Sequence, residues 1–114
     1  MCNVGTTHEG RKIMALRFTN PVSARINATL PKKQFYVQGG IHARELISHA
    51  ATQYFAYHLA TSNETAITTL LDETEVVLVP VVNPGGYAYT WNGDRLWRKN
   101  RHVNNDGSSG VGTF

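Results

Sequence analysis

His42 and Glu45 are three residues apart, directly after the turn Gly39-Gly40-Ile41, and are the strongest candidates for metal ligands in this sequence. Zinc accepts both an imidazole nitrogen and a carboxylate oxygen, and a catalytic zinc site has three protein ligands and an open position for water. The pattern therefore predicts a zinc site with two of its three ligands in view. The alternative is a surface helix that happens to begin with a His and a Glu.

The other histidines give no clear third ligand. His49 lies one helical turn after Glu45 and is a rival ligand, but we expect it on a solvated face of the helix that Glu45 begins. His58 is expected to lie at the core or at its boundary. His8 and His102 fall in expected loops and have no local partner.

The basic run from Arg95 to Arg101 is a second group of candidate functional residues. Arg98 and Arg101 are three residues apart, and a guanidinium can grip a carboxylate or stabilise a developing oxyanion. Alternatives are a solvated basic patch, or a nucleic-acid surface on which Trp97 stacks bases. A chain with 11 basic and 8 acidic residues gives the nucleic-acid alternative little support, so no nucleic-acid partner is expected.

Length and composition indicate one small globular domain. The chain has 114 residues, of which 41% are hydrophobic and 17% charged, with a formal net charge of +3. It is short for an enzyme with its own cleft. The single cysteine, Cys2, excludes an internal disulfide. The first residues lack the features of a secretory signal, and no apolar run is long enough to span a membrane, so no membrane partner is expected.

Several segments have the patterns of β-strands. Lys12–Phe18 alternates between apolar and polar residues, and Ala24–Leu30 is a possible short strand. Phe35–Val37 is predicted to be a buried strand that ends at the two glycines. Val76–Val82 has no polar alternation, which is typical of a strand covered on both faces, although Pro80 belongs at an edge or a bulge.

Two segments are predicted to be helices. Glu45–Ala60 is the clearer one, and a second runs to Leu71 with Ser62 or Asn63 as its cap. The first helix has two rows of residues that together predict a broad apolar face: Leu46, Ala50, Tyr54 and His58, and beside them Ile47, Ala51, Phe55 and Leu59. Its polar side is expected to carry Glu45, His49, Thr52 and Gln53.

This order of elements predicts an α/β domain with a mixed, mostly parallel sheet and helices packed on it. In such sheets ligands bind beyond the carboxyl ends of the strands. The strand before His42 ends at that edge, and so does the strand before Asn83-Pro84-Gly85-Gly86. We therefore expect His42, Glu45 and the basic run to share one cleft.

Three segments carry a resemblance to a known family. Gly40–Glu45, Asn83–Tyr87 and Arg95–Arg101 closely resemble the zinc metallocarboxypeptidases of the carboxypeptidase A type, in that family's order and spacing. Glu9–Ile13 is also similar to the family's approach to its first strands. The resemblance implies that residues 1–114 are the N-terminal portion of a single metallocarboxypeptidase catalytic domain, with a truncated version of that fold.

The resemblance also implies roles by position. His42 and Glu45 match the first two ligands of one zinc ion, and Arg44 matches an arginine that contacts bound peptide. Arg101 matches the arginine that polarises the scissile carbonyl, with Arg98 as a neighbouring subsite residue. The family removes the C-terminal residue of a peptide or protein through a zinc-activated water. The resemblance to this family also implies an extracellular location for the chain.

The departures from the family lie at the end of the chain. Gly110–Phe114 is not followed by the Asn-Arg pair that clamps the substrate's terminal carboxylate, and no segment matches the third zinc ligand or the catalytic glutamate. We therefore expect the isolated chain to bind zinc weakly, to hydrolyse no peptide and to be either prone to aggregate or only partly folded. The alternative is a non-catalytic zinc- or peptide-binding relative.

Overall fold

The structure is a computed structural model, and it describes residues 1–21 and 31–103. The possible strand Ala24–Leu30 and the segment Gly110–Phe114 lie outside the described residues. Four strands and three helices follow in the order β1 (Cys2–Thr6), β2 (Lys12–Phe18), β3 (Lys33–Gln38), α1 (Leu46–Thr61), α2 (Thr65–Glu73), β4 (Thr74–Val79) and α3 (Pro84–Asn92).

The strands form a mixed sheet in the order β1-β2-β4-β3. This confirms the predicted mixed sheet with helices packed on it, but its pairing is less parallel than expected. Among the described strands, β1 with β2 and β2 with β4 are antiparallel, and β3 with β4 is parallel. The connections between the strands are the physical reason. The short turn through Gly10 joins β1 to β2 and can only connect antiparallel neighbours. The two helices between β3 and β4 supply the long crossover that parallel strands need.

The core is centred on β4, where Val76, Leu78 and Val79 are almost fully buried. The strand ends at Val79, so it is shorter than the expected run to Val82. Pro80, which has no N–H for the ladder, follows directly. Leu59 and Leu71 pack with Val76 and bring both helices of the crossover onto the sheet.

The β3 strand has the expected position but not the expected burial. Phe35 and Tyr36 are exposed. This corrects the prediction of a compact buried strand. The reason is the strand order, because β3 stands at the end of the described sheet and its burial depends on what covers that end.

The α1 helix confirms the predicted segment but packs through a different face. His49, Thr52, Ala56 and Leu59 are buried, whereas Ile47 is 78% and Tyr54 is 70% exposed. The residues assigned to the polar side therefore include core residues. The buried hydroxyl is satisfied, because Thr52 Oγ1 lies 2.7 Å from the Ser48 carbonyl oxygen and 3.2 Å from that of Pro80.

The α2 helix begins after Glu64 rather than at a capping Ser62 or Asn63. Ser62 Oγ accepts a hydrogen bond from the Glu64 N–H at 3.2 Å, and no side chain caps the helix. Leu71 is its buried residue, and the helix ends at Glu73, directly before β4. None of the helices in residues 1–21 and 31–103 is both long and apolar enough to cross a membrane.

Candidate metal centre

A tight turn carries the chain from β3 into the residues expected to bind metal. Gly40 has φ +68°, which favours glycine, and its N–H donates to Ser48 Oγ at 2.9 Å. Gly39 donates to the Val79 carbonyl at 2.9 Å, and a Cβ at Gly39 would overlap the Thr52 side chain. The glycines therefore let α1 approach the end of the sheet closely.

The turn brings the two predicted ligands together. His42 Nδ1 and Glu45 Oε1 are 3.0 Å apart, and both side chains are partly exposed. Two ligand atoms on one tetrahedral zinc ion would be about 3.3 Å apart. The pair therefore fits two positions of a zinc site with little movement. No group of three His, Cys, Asp or Glu side chains that could hold a metal occurs in the described part of the chain.

His49 is buried, at 3% exposure, which corrects the prediction that it lies on a solvated face. Its Nδ1 lies 3.2 Å from the Glu45 carbonyl oxygen, and its ring centroid is 4.6 Å from that of Tyr87. Burial lowers the pKa of His49 below its ordinary value of 6.5, and the hydrogen bond to the Glu45 backbone opposes this only in part. His58 lies at the boundary, stacked on Tyr54.

Asn83 is a residue whose role the sequence analysis missed. Its Nδ2 donates to the carbonyl oxygens of Ile41, at 3.3 Å, and Lys99, at 3.0 Å. Its Oδ1 accepts from the Gly86 N–H at 3.0 Å and so caps α3. The available signal was an Asn before a Pro, since Asn favours the N-cap and Pro the first helical position. This one side chain joins the turn before His42 to the basic run.

The basic run lies directly against the same turn. The Ala43 N–H donates to the Arg98 carbonyl at 3.0 Å. Arg44 Nη1 lies 3.5 Å from the Leu96 carbonyl oxygen, and Arg95 Nη1 donates to the Arg44 carbonyl at 3.3 Å. The structure thus places the two groups of residues side by side.

Arg101 is held by a carboxylate and two aromatic rings. Its Nε lies 3.3 Å from Glu9 Oε1, and its guanidinium carbon lies 3.9 Å from the centre of the Tyr89 ring and 5.0 Å from that of Trp97. These contacts fix the guanidinium in place. Arg101 also lines a cavity of about 420 Å³, together with His8 and His102.

Residues 1–113 match the family described as zinc carboxypeptidase. The chain belongs to this family. Two curated relatives are each named an inactive metallocarboxypeptidase, ecm14. The protein from Sclerotinia sclerotiorum is 49% identical and that from Uncinocarpus reesii 47%, each over 92% of this chain and 18% of the relative. The chain therefore spans less than a fifth of the length of these relatives.

Solved structures show the same fold. Thrombin-activatable fibrinolysis inhibitor is 31% identical with a TM-score of 0.82, over 96% of this chain and 26% of that one. Carboxypeptidase A from Helicoverpa armigera is 31% identical with a TM-score of 0.74, over 91% and 24%. The bovine fibrinolysis inhibitor, in complex with tick carboxypeptidase inhibitor, is 30% identical with a TM-score of 0.71, over 96% and 32%. The metallocarboxypeptidase fold and the family resemblance are thereby confirmed.

Proposed function

We propose that this chain forms one part of a zinc metallocarboxypeptidase site, in which His42 and Glu45 are two zinc ligands. The observation that carries the proposal is the 3.0 Å separation between His42 Nδ1 and Glu45 Oε1 at a solvent-accessible turn. Family membership supports zinc as the metal. It also supports peptide or protein C-termini as the substrate class and an extracellular location.

The chemistry of the site divides between the metal and the protein. Zinc, when bound, supplies a Lewis acid that lowers the pKa of a water molecule. His42 contributes a neutral nitrogen and Glu45 a negative oxygen, so the pair binds the cation while leaving part of its charge uncompensated. Glu45 is held at the start of α1 by its own N–H, which donates to the His42 carbonyl at 3.1 Å.

The neighbouring arginines are proposed to bind the peptide. The resemblance assigns the scissile carbonyl to Arg101, a neighbouring subsite to Arg98 and a peptide contact to Arg44. The contacts favour the opposite assignment, with the scissile carbonyl bound by Arg98 and the neighbouring subsite formed by Arg101. The Arg98 backbone bonds to Ala43, next to His42, whereas the Arg101 guanidinium is engaged by Glu9 and two rings.

This assignment is testable by binding of a short peptide to the zinc-loaded chain. If Arg98 contacts the peptide carbonyl, Arg98→Gln should weaken binding about tenfold, as expected for the loss of a charged hydrogen bond. Arg101→Gln should then weaken binding less and mainly lower stability. Fluorescence anisotropy of a labelled peptide measures the two losses of affinity. A larger loss in Arg101→Gln than in Arg98→Gln would support Arg101 as the residue that binds the carbonyl.

A second candidate function is a non-catalytic zinc- or peptide-binding protein. The relatives named inactive metallocarboxypeptidases support it. The two candidates share the same metal pair and differ in whether a hydrolysis step follows. Metal binding is therefore the first property to test.

Calorimetric titration of the chain with zinc tests the metal pair. We expect one-to-one binding that is weaker than micromolar, because a catalytic zinc normally has three protein ligands. His42→Ala and Glu45→Gln should abolish it, whereas His58→Ala, which removes a histidine far from the turn, should leave it unchanged. Binding that survives both ligand substitutions would place the metal elsewhere.

A further inference from the structure

His49 is a buried histidine that the proposed metal site does not use. It makes contacts with three separate parts of the site: the Glu45 carbonyl oxygen, the ring of Tyr87 on α3, and the backbone of Gly40. Glu45 immediately precedes α1, and Gly40 lies two residues before His42. The imidazole therefore lies against the turn before His42 and bonds to the backbone of Glu45 itself.

The hydrogen bond determines the state of the ring. A carbonyl oxygen only accepts, so Nδ1 of His49 must carry the proton that is donated to Glu45. In the neutral ring Nε2 is then an acceptor, and it is buried without a hydrogen-bond partner. A leucine would fill this space without an unpaired polar atom. The reason for a histidine here must lie in the bond made by Nδ1.

The position of the unpaired nitrogen shows how closely the ring packs. A Cβ at Gly40 would overlap His49 Nε2 and would lie 3.0 Å from Cε1. The imidazole therefore lies directly against the turn backbone, with the Tyr87 ring 4.6 Å away between centroids. The ring thus fills the space beside Gly40, on the side of the turn that faces α1.

Ser48 Oγ accepts from the Gly40 N–H at 2.9 Å, which is a second side-chain link between the turn and the beginning of α1. Glu45 is its N-cap residue, and its side chain makes no capping hydrogen bond. The Glu45 carbonyl accepts from the Ser48 N–H at 3.0 Å and from His49 Nδ1 at 3.2 Å. The second bond is the one that links Glu45 to a side chain packed on the glycine turn.

We propose that His49 is a positioning residue, which holds the Glu45 backbone at a fixed distance from the Gly40 turn and so presents Glu45 and His42 to the same cation. This inference rests on the proposed metal function. It assigns His49 no contact with the metal or the substrate. Residues that orient metal ligands typically change metal affinity 10- to 100-fold when they are substituted.

Three variants of the full chain test the proposal. His49→Leu fills the space but removes the donor, and His49→Asn places an amide nitrogen where Nδ1 stands. His58→Leu is the matched control, since it makes the same change on the same helix away from the turn. Zinc affinity is measured with a competing chromophoric chelator, and hydrogen exchange is measured at the Ser48 amide, whose N–H donates to Glu45.

The expected result is a loss of zinc affinity of about tenfold in His49→Leu, the lower limit for a residue that orients a ligand. His49→Asn should recover affinity to within about twofold of the unmodified chain, and His58→Leu should not change it. Exchange at Ser48 should be faster in His49→Leu than in the Asn variant. Unchanged affinity in His49→Leu, or equal losses in the Leu and Asn variants, would overturn the proposal.

Two further outcomes are also decisive. If zinc binds equally well to Glu45→Gln, the metal function fails, and the exchange rate at Ser48 alone decides whether His49 fixes the turn. Faster exchange in His49→Leu but not in His49→Asn supports positioning, and equal rates overturn it. If His49→Leu does not fold, the Asn variant decides by retaining zinc affinity or losing it.

Discussion

Gly40 is a conformationally demanding residue in the turn that leads to His42 and Glu45. Its φ of +68° is in the left-handed region, and the space beside its Cα is occupied by the His49 imidazole. Gly10 has a similar φ of +80°, but nothing lies near the place of its missing Cβ. A side chain at Gly10 would therefore meet backbone strain alone, whereas a side chain at Gly40 would meet both backbone strain and steric overlap.

Substituting each glycine by alanine should separate the two effects. Gly10→Ala should lower the free energy of unfolding by about 1 kcal/mol, the lower limit for a non-glycine residue in this region. Gly40→Ala should lower it further, by about 1–3 kcal/mol more, because the core must shift to admit the methyl group. Urea titration gives both values. Equal losses would show that the imidazole yields freely to a methyl group.

The buried imidazole of His49 predicts a pH dependence of stability. Its pKa is lowered in the folded chain by burial, so between that pKa and about 6.5 the unfolded chain binds a proton that the folded chain does not. The free energy of unfolding should therefore fall as the pH drops below about 6.5, and stop falling from this cause below the folded pKa.

A variant without the imidazole isolates this contribution. His49→Asn should show a shallower loss of stability than the unmodified chain between about pH 7.5 and pH 5, because all its other titrating groups are the same. Thermal melts followed by circular dichroism at several pH values measure both slopes. Parallel curves would mean that His49 titrates alike in the folded and unfolded chains.

At the scale of elements, α1 shows why a helix can be located more reliably than its buried face. No residue from Leu46 to Thr61 is charged, so apolar side chains occur all around the helix. The periodicity of apolar residues then favours Ile47 and Tyr54 as buried, whereas the buried residues include His49 and Thr52, whose polar atoms bond to nearby carbonyls. Those bonds depend on the Gly39-Gly40 turn and are invisible to a pattern of hydrophobicity.

The positions of the strands were predicted better than their burial, because position depends on local sequence and burial depends on the whole sheet. β2, β3 and β4 all occur near their predicted positions, because β-branched and aromatic runs between turn residues specify strands locally. The exposure of β3 depends on the strand order β1-β2-β4-β3, which no local pattern contains. The contact between His42 and Glu45 was predictable for the opposite reason, since both residues lie in one short turn.

The exposed face of α1 gives a prediction about self-association. Ile47 and Tyr54 are two turns apart on the outer surface, and exposed apolar surface promotes aggregation. The double variant Ile47→Lys, Tyr54→Lys should remain monomeric at higher concentration, with a stability within about 0.5 kcal/mol of the unmodified chain. Light scattering and a urea titration measure the two properties. The matched exposed polar pair Gln53→Lys, Thr61→Lys controls for added charge, and an equal gain from it would show that charge alone matters.

At the scale of the whole molecule, the chain belongs to the zinc carboxypeptidase family and covers 18% of the length of relatives named inactive. The described residues supply the two proposed zinc ligands, His42 and Glu45, with arginines nearby, but they contain no group of three His, Cys, Asp or Glu side chains that could hold a metal. Metal binding and peptide hydrolysis therefore need separate tests in this chain.

We expect no hydrolysis by the isolated chain even when zinc is saturating, because two ligands leave the metal poorly held and the described residues place no carboxylate as a further general base beside it. Mass spectrometry of a peptide mixture incubated with chain and zinc measures the loss of C-terminal residues. An active carboxypeptidase serves as the positive control. Release that disappears in Glu45→Gln would contradict the expectation.

The pairing of Leu16 with Leu78 also sets the order of events during synthesis. A ribosome must release about 60 residues after the second strand before its partner is available, and closing so long a loop slows folding. Until then, the edge of β2 that later pairs with β4 has no neighbour in the hairpin of β1 and β2. That interval is when a molecular chaperone has most to protect.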